Sequence, residues 1–101
     1  MEGIIKKLAK TIKSRKGSDV KSSYTAFLLS KGNDYCIKKL KEEVDELEES
    51  LRNNKNIVHE TADVIYHLLV TLECSHIDFN KILKELKKRE DVSGFVEKKN
   101  R

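Results

Sequence analysis

Two amphipathic helices joined by a short polar turn are predicted by the stretch LKEEVDELEESLRNNKNIVHETADVIYHLLV, residues 40–70. Apolar residues in its first half recur in steps of three and four, which places them on one face of a helix. The run NNKN that follows has the composition of a turn. We predict a first helix over 34–52 capped by Asn33 or Asp34, a turn at 53–56 with cap candidates for the next helix, and a second helix over roughly 56–74.

Shorter helices are predicted on both sides of this hairpin. The 101 residues include no Pro and only 4 Gly, and alternating strand patterns are absent, so the composition favours an all-α fold. We predict one domain, 1–101, with four or five helices in a bundle. The further helices are 2–13 with Ile4, Ile5, Leu8 and Ile12 on one face, 23–31 with Ser23 as cap and Gly32 as stop, and a helix from its cap Asp78 to Arg89 with Phe79, Ile82, Leu83 and Leu86 inward.

Composition narrows the cellular setting of the chain. Two cysteines, Cys36 and Cys74, are too few for a disulfide scaffold and indicate reduced, structural thiols in the cytoplasm. We see no signal peptide at the N-terminus, and no stretch reaches the roughly 20 apolar residues of a membrane span. The net charge of +4 suits a nucleic acid or a small anionic substrate equally well.

Acidic residues form a stripe on each helix of the predicted hairpin. On a helical wheel, Lys39, Glu43 and Glu46 share one flank of the first helix, with Glu42 just beyond Glu46. On the second helix, Glu60 and Asp63 share a face with His67. If the helices pack antiparallel, four carboxylates can converge, and hard oxygen ligands of this kind suit Mg²⁺. The candidate ligands are Glu43, Glu46, Glu60 and Asp63.

A solvated acidic face is the competing interpretation of the same residues. Residues 42–49 contain six acids in eight positions, and such runs usually face water. In contrast, residues 57–80 contain no Lys or Arg, although the chain has 21 of them. Acids on a largely apolar helix without counterions favour a bound cation or a basic partner. The residues alone leave both interpretations open.

Four segments together resemble a known enzyme family. They are S-Y-T…L-L…G over 23–32, K-x-x-E-E-x-x-E over 39–46, ETADVIYHLL over 60–69 and SGFVEKKNR over 93–101. The chain is similar to the phosphoribosyl-ATP pyrophosphohydrolases, which belong to the MazG-like all-α nucleoside-triphosphate pyrophosphatases. Two departures are Lys41 and the pair Ser75–His76, which stand where the family commonly has glycine. The second departure alters a turn.

The resemblance implies an enzyme that hydrolyses phosphoribosyl-ATP to phosphoribosyl-AMP and pyrophosphate with Mg²⁺, the second step of histidine biosynthesis. Glu42 would position or deprotonate the attacking water, although a supporting carboxylate is an equal alternative. Lys39 would bind phosphate or extend along the surface, and Tyr24 would contact the substrate or pack in the core. Further phosphate-binding candidates are Arg89, Lys98 and Arg101, if the tail folds over the site.

The predicted helix over 57–74 also bears on oligomeric state. Its 11 apolar residues of 18 cover more than half of its circumference, too wide an arc for one small subunit to bury. We therefore expect a homodimer, as the resemblance also implies, with no nucleic-acid or membrane partner. Nothing resembles the fused cyclohydrolase domain of some relatives, so we expect a stand-alone enzyme. The alternatives are another triphosphate pyrophosphatase of the superfamily and a non-enzymatic helical interaction module.

Overall fold

A computed structural model describes residues 3–90 and Lys99, and the described residues contain helices but no strand. This confirms the predicted all-α class. Each predicted helix is present, with its ends shifted by at most two residues. No helix in this part of the chain is both long and apolar enough to span a membrane. The helices are α1 (Ile4–Ser14), α2 (Tyr24–Ser30), α3 (Asn33–Asn53), α4 (Ile57–Cys74) and α5 (Phe79–Glu90).

Helices α3 and α4 form an antiparallel hairpin, the most extensive helix pair in the described chain. The turn between them places Asn54 and Asn56 in the left-handed backbone region, each with φ of 54°. Asparagine tolerates this conformation better than most residues, which explains the asparagine-rich turn. The Thr71 hydroxyl lies 3.2 Å from the Cys36 carbonyl oxygen, far from the turn. This contact joins the beginning of α3 to the end of α4.

The hydrophobic core lies at the end of the hairpin away from the turn. We call this end, formed by the beginning of α3 and the end of α4, the proximal half of the hairpin. The other end, beside residues 54–56, is the distal half. Helices α1 and α2 each contribute a fully buried side chain that packs on the proximal half. The core therefore closes only one end of the hairpin. The buried core residues are Ile12, Leu28, Cys36, Leu69 and Val70.

The two thiols belong to this proximal region. Cys36 is 1% exposed, and its thiol donates a hydrogen bond to the Leu28 carbonyl oxygen at 3.2 Å. Burial, reinforced by neighbouring Cys74, raises the pKa of the Cys36 thiol to about 12. Both cysteines are free, and Cys74 is half-buried. A buried, neutral thiol suits the predicted structural role.

Two of the predicted helix caps are confirmed and one is wrong. The Ser23 hydroxyl accepts a hydrogen bond from the Ala26 amide at 3.1 Å, and the Asp78 carboxylate accepts one from the Asn80 amide at 2.9 Å. At the start of α3, however, the cap position is Gly32, with φ of +91° and no side-chain cap. The positive φ that links α2 to α3 favours glycine, so Asn33 lies inside the helix. Asn56 likewise occupies the cap position of α4 without a side-chain bond.

Several apolar residues predicted to point inward are exposed in the described chain. Ile4 is 75% exposed on α1, and Leu86 is 54% exposed on α5. On α3, Val44 and Leu51 are 46% and 57% exposed, although both belong to the apolar face of the predicted helix. Helical spacing identifies an apolar face, but it cannot tell whether another segment covers that face. The distal half of the hairpin is covered by neither α1 nor α2.

Candidate active site

The predicted carboxylates lie between the core and the turn, where α3 and α4 face each other. The structure places the four in two overlapping groups instead of one. Ligand atoms of Glu43, Glu46 and Glu60 lie within 4.8 Å of one another. A second group, with the same spacing, consists of His59, Glu60 and Asp63. Glu60 is therefore the common member, and it is supplied by the first turn of α4.

Two carboxylate oxygens in this cluster are buried without a hydrogen-bond partner among the described residues. They are Oε2 of Glu43 and Oε2 of Glu60. Burying a charged oxygen without a partner is costly, by more than the 1–3 kcal/mol that applies to neutral groups. The pKa of Glu43 is accordingly raised, first by burial and then by the neighbouring Glu46, Asp63 and Glu60. A solvated acidic face would not bury these oxygens, which argues against that interpretation.

His67 closes the inner side of the cluster. It is 5% exposed, and its Nε2 lies 3.6 Å from Oε1 of Glu43. Burial lowers the pKa of His67 and outweighs the opposing effect of Asp63 and the other carboxylates. The imidazole is therefore neutral at pH 7 and adds no compensating charge. This position agrees with a packed helix histidine that borders the site.

Lys39 and Glu42 form an ion pair at the edge of the cluster. The Lys39 Nζ lies 3.0 Å from Oε2 of Glu42, one turn away on α3. The hydrogen bond to Glu42 is the main reason why the pKa of Lys39 is raised. The predicted phosphate-binding lysine and the predicted water-positioning glutamate are therefore partners in the structure. A phosphate group that binds Lys39 would compete with Glu42 for the ammonium group.

The aromatic rings of Tyr24 and Tyr66 border the same site. Tyr24 is 53% exposed, so packing in the core, one of the two alternatives for this residue, is wrong. Its ring stacks 6.4 Å from the ring of Tyr66 and meets the His67 ring edge-on at 6.2 Å. The Tyr66 hydroxyl in turn lies 2.6 Å from the hydroxyl of Thr25. Burial raises the pKa of both Tyr24 and Tyr66, so both tyrosines remain neutral phenols at pH 7.

The remaining candidates lie elsewhere or outside the described residues. Arg89 is near the C-terminal end of α5, where it forms an ion pair with Glu85 at 3.6 Å. The contacts within residues 3–90 do not connect Arg89 to the carboxylates. Lys98 and Arg101 lie outside the described residues, so their predicted contact with phosphate stays a prediction.

His59 was not recognised as a site residue from the sequence. Its Nε2 lies 3.2 Å from Oδ2 of Asp63, and its side chain is 74% exposed. The available signal was spacing, because His59 precedes Asp63 by four residues and so shares its helix face.

Known proteins resemble this chain over almost its whole length. The profile of the family described as Phosphoribosyl-ATP pyrophosphohydrolase matches residues 5–90. A phosphoribosyl-ATP pyrophosphatase from Cereibacter sphaeroides is 40% identical over 100 residues, which cover 97% of each chain. One from Geobacter metallireducens is 43% identical over 102 residues, or 99% of this chain and 94% of the relative.

A third relative is larger. The histidine biosynthesis bifunctional protein HisIE of Wolinella succinogenes is 42% identical over 101 residues, which cover 98% of this chain and 44% of that protein. The matches confirm the resemblance predicted from the four sequence segments and the prediction of an enzyme, a hydrolase. This chain belongs to the phosphoribosyl-ATP pyrophosphohydrolase family.

Proposed function

We propose that this protein hydrolyses phosphoribosyl-ATP to phosphoribosyl-AMP and pyrophosphate in histidine biosynthesis, with Mg²⁺ at the carboxylate cluster. Family membership over residues 5–90 supports the reaction. The observation that supports the cation site is that one buried carboxylate oxygen of Glu43 and one of Glu60 lack a hydrogen-bond partner in the described part of the chain. A hard cation would complete the coordination of both.

The donor set fits magnesium. All four proposed ligands, Glu43, Glu46, Glu60 and Asp63, offer carboxylate oxygens, which Mg²⁺ prefers. Within residues 3–90, Glu43 and Glu60 have no lysine or arginine partner that would satisfy them instead. When bound, the cation would neutralise charge on the triphosphate and so favour attack by water.

Side chains around the cluster would bind and orient the substrate. Lys39 would exchange part of its contact with Glu42 for a phosphate oxygen, which frees the Glu42 carboxylate to orient or deprotonate water. The exposed face of Tyr24 would support a flat purine or ribose. We propose that Arg89, Lys98 and Arg101 contact phosphate only if the C-terminal segment reaches the site.

The test of this proposal is pyrophosphate release from phosphoribosyl-ATP, measured with ATP and dUTP as alternative substrates. We expect rapid, Mg²⁺-dependent release from phosphoribosyl-ATP and much slower release from the other two. Faster hydrolysis of dUTP or ATP would identify another triphosphate pyrophosphatase of the superfamily. No release from any of the three would favour a helical interaction module.

We propose a homodimer in which a second copy covers the distal half of the hairpin. Val44 and Leu51 on α3 are about half exposed, and Val58 on α4 is 85% exposed. Uncovered apolar residues on two adjoining helices are typical of an interface. Leu51→Lys should separate the copies in sedimentation experiments, whereas Leu86→Lys, at a residue of similar exposure on α5, should not.

A stable, folded monomer of 11.7 kDa at micromolar concentration would contradict the dimer. We further propose that residues 1–101 act as one domain in the cytoplasm. The family profile, which covers most of the chain, supports a single domain. We assign the positive net charge to binding of an anionic nucleotide and propose no nucleic-acid partner.

A further inference from the structure

We propose that His59, Glu60 and Asp63 form a mixed nitrogen and oxygen cation position in which His59 Nε2 is a ligand. This chain would then bind Mn²⁺ or Co²⁺ more tightly than carboxylates alone allow. The inference rests on the cation site proposed above and adds a residue to it. It concerns which cation this particular chain prefers.

The backbone of α4 holds these three side chains together. His59 and Asp63 are one turn apart and therefore share a helix face, and Glu60 is adjacent. Ligand-capable atoms of all three lie within 4.8 Å of one another. No rearrangement of helices is needed to bring an imidazole nitrogen to the carboxylates.

The spacing of His59 and Asp63 fits two neighbouring ligands of one ion. Their Nε2 and Oδ2 atoms are 3.2 Å apart. With bond lengths of about 2.1 Å, adjacent ligands on an octahedral or tetrahedral ion are roughly 3.0 to 3.4 Å apart. A cation could therefore replace the present contact with little movement of either side chain.

An exposed histidine–aspartate pair on a helix is by itself an ordinary surface contact. What distinguishes this pair is Glu60, whose Oε2 is buried and lacks a partner. Glu60 also belongs to the Glu43 and Glu46 group. His59 therefore adds a nitrogen ligand to a group of carboxylates in which two buried oxygens have no hydrogen-bond partner among the described residues. The His59–Asp63 ion pair alone gives the Glu60 carboxylate no cationic partner, whereas a cation between the three would supply one.

The presence of a nitrogen donor changes the expected selectivity. Oxygen-only sites suit Mg²⁺, whereas imidazole favours transition-metal cations, whose affinity rises from Mn²⁺ to Co²⁺ and beyond. Mg²⁺ rarely exchanges water for nitrogen, so His59 should add little to its binding. Removal of the imidazole should therefore affect Mn²⁺ and Co²⁺ far more than Mg²⁺.

The test compares the parent protein with His59→Ala, using each metal chloride without nucleotide. We expect calorimetry to show Mn²⁺ and Co²⁺ binding weakened by about tenfold to a hundredfold, with Mg²⁺ affinity changed by less than about threefold. His76→Asn is the matched control, because it removes an exposed imidazole from the α4–α5 turn and should change neither affinity.

Pulsed electron paramagnetic resonance of bound Mn²⁺ supplies a readout that does not depend on activity. Modulation from a coordinated ¹⁴N nucleus should appear in the parent and in His76→Asn and disappear in His59→Ala. Modulation that persists in His59→Ala, or is absent from the parent, would overturn the proposal. Equal loss of Mg²⁺ and Mn²⁺ affinity would also overturn it, because His59 would then only hold Asp63 in place.

The two proposals fail in different ways. If the parent binds Mn²⁺ and Mg²⁺, Glu43→Gln weakens both, and His59→Ala changes neither, then the carboxylate site stands and the role of His59 falls. If the parent binds none of the three cations, the role of His59 falls, and the cation site of the proposed function loses its main support.

Discussion

The two halves of the α3–α4 hairpin are built from the same pair of helices. They differ in whether their buried polar groups have hydrogen-bond partners. In the proximal half, the Thr71 hydroxyl lies 2.7 Å from the His67 carbonyl oxygen, and the Cys36 thiol donates to Leu28. In the distal half, one buried oxygen each of Glu43 and Glu60 has no hydrogen-bond partner among residues 3–90. Among the described residues, buried polar groups have partners where the chain forms a core, and two buried carboxylate oxygens beyond it have none.

This difference indicates where binding is expected. Buried polar groups in folded proteins are almost always hydrogen-bonded, so exceptions require an explanation. Here the exceptions coincide with apolar residues that neither α1 nor α2 covers, such as Val58. A cation and a second copy of the chain would supply what the distal half lacks. The comparison can be tested by changing one half at a time.

The largest expected effect is on catalysis, in the distal half. Glu43→Gln or Asp63→Asn should reduce pyrophosphate release from phosphoribosyl-ATP by more than about a hundredfold, because each removes a proposed cation ligand. Helical content, measured by circular dichroism, should remain intact. Asp45→Asn, at an exposed acid on α3, is the control and should stay near the parent rate. Activity within about tenfold of the parent, ~1.4 kcal/mol in the barrier, would exclude that residue as a ligand.

The next effect is on folding, in the proximal half. Leu28 is fully buried, so Leu28→Ala should lower the free energy of unfolding by about 2 to 5 kcal/mol. Leu86→Ala, which truncates a leucine that is 54% exposed, should cost about 0.5 kcal/mol or less. Urea denaturation provides both values. Equal losses would mean that the core does not lie where the structure places it.

A smaller effect should couple the distal half to stability. Mg²⁺ at ten times its dissociation constant should stabilise the folded protein by about 1.4 kcal/mol, which raises the melting temperature by several degrees. Thermal melts at matched ionic strength would measure this rise. A melting temperature that does not change with millimolar Mg²⁺ would count against the site, unless the cation binds appreciably only with the phosphates of the substrate.

Glu43→Gln should respond differently in the same melts. Without metal it should melt at or above the parent, because an amide in place of Glu43 removes charge repulsion and can donate to Glu46. It should also gain little from Mg²⁺. A variant that melts well below the metal-free parent would show that the ionised Glu43 stabilises the fold instead of straining it.

The smallest effect concerns the turn that closes the proximal half. His76 has φ of 62°, a left-handed conformation that costs most residues about 1 to 2 kcal/mol and glycine almost nothing. His76→Gly should therefore stabilise the protein by about 0.5 to 1 kcal/mol, after allowance for the extra freedom of glycine when unfolded. Ser75→Gly, at φ of −89°, should give no such gain in chemical denaturation.

The sequence alone predicted four or five helices at the observed positions, the hairpin and the pairing of acids along each helix. These features depend on local periodicity, since residues three and four apart share a helix face wherever the helix lies. The Ser23 and Asp78 caps were predictable for the same reason, because each bonds to an amide within three residues. Gly32 was not recognised as the α3 cap, since its φ depends on how α2 and α3 are joined.

Only the tertiary structure decided which apolar residues are buried and how the acids are grouped. Val44 and Cys36 both lie on α3, yet one is 46% exposed and the other 1%, because α1 and α2 reach only the proximal half. The meeting of Glu43 and Glu46 with Glu60 depends on the distance between α3 and α4, whereas His59, Glu60 and Asp63 are brought together by α4 alone. A sequence places side chains around one helix axis, whereas the approach of two axes decides which of those side chains meet.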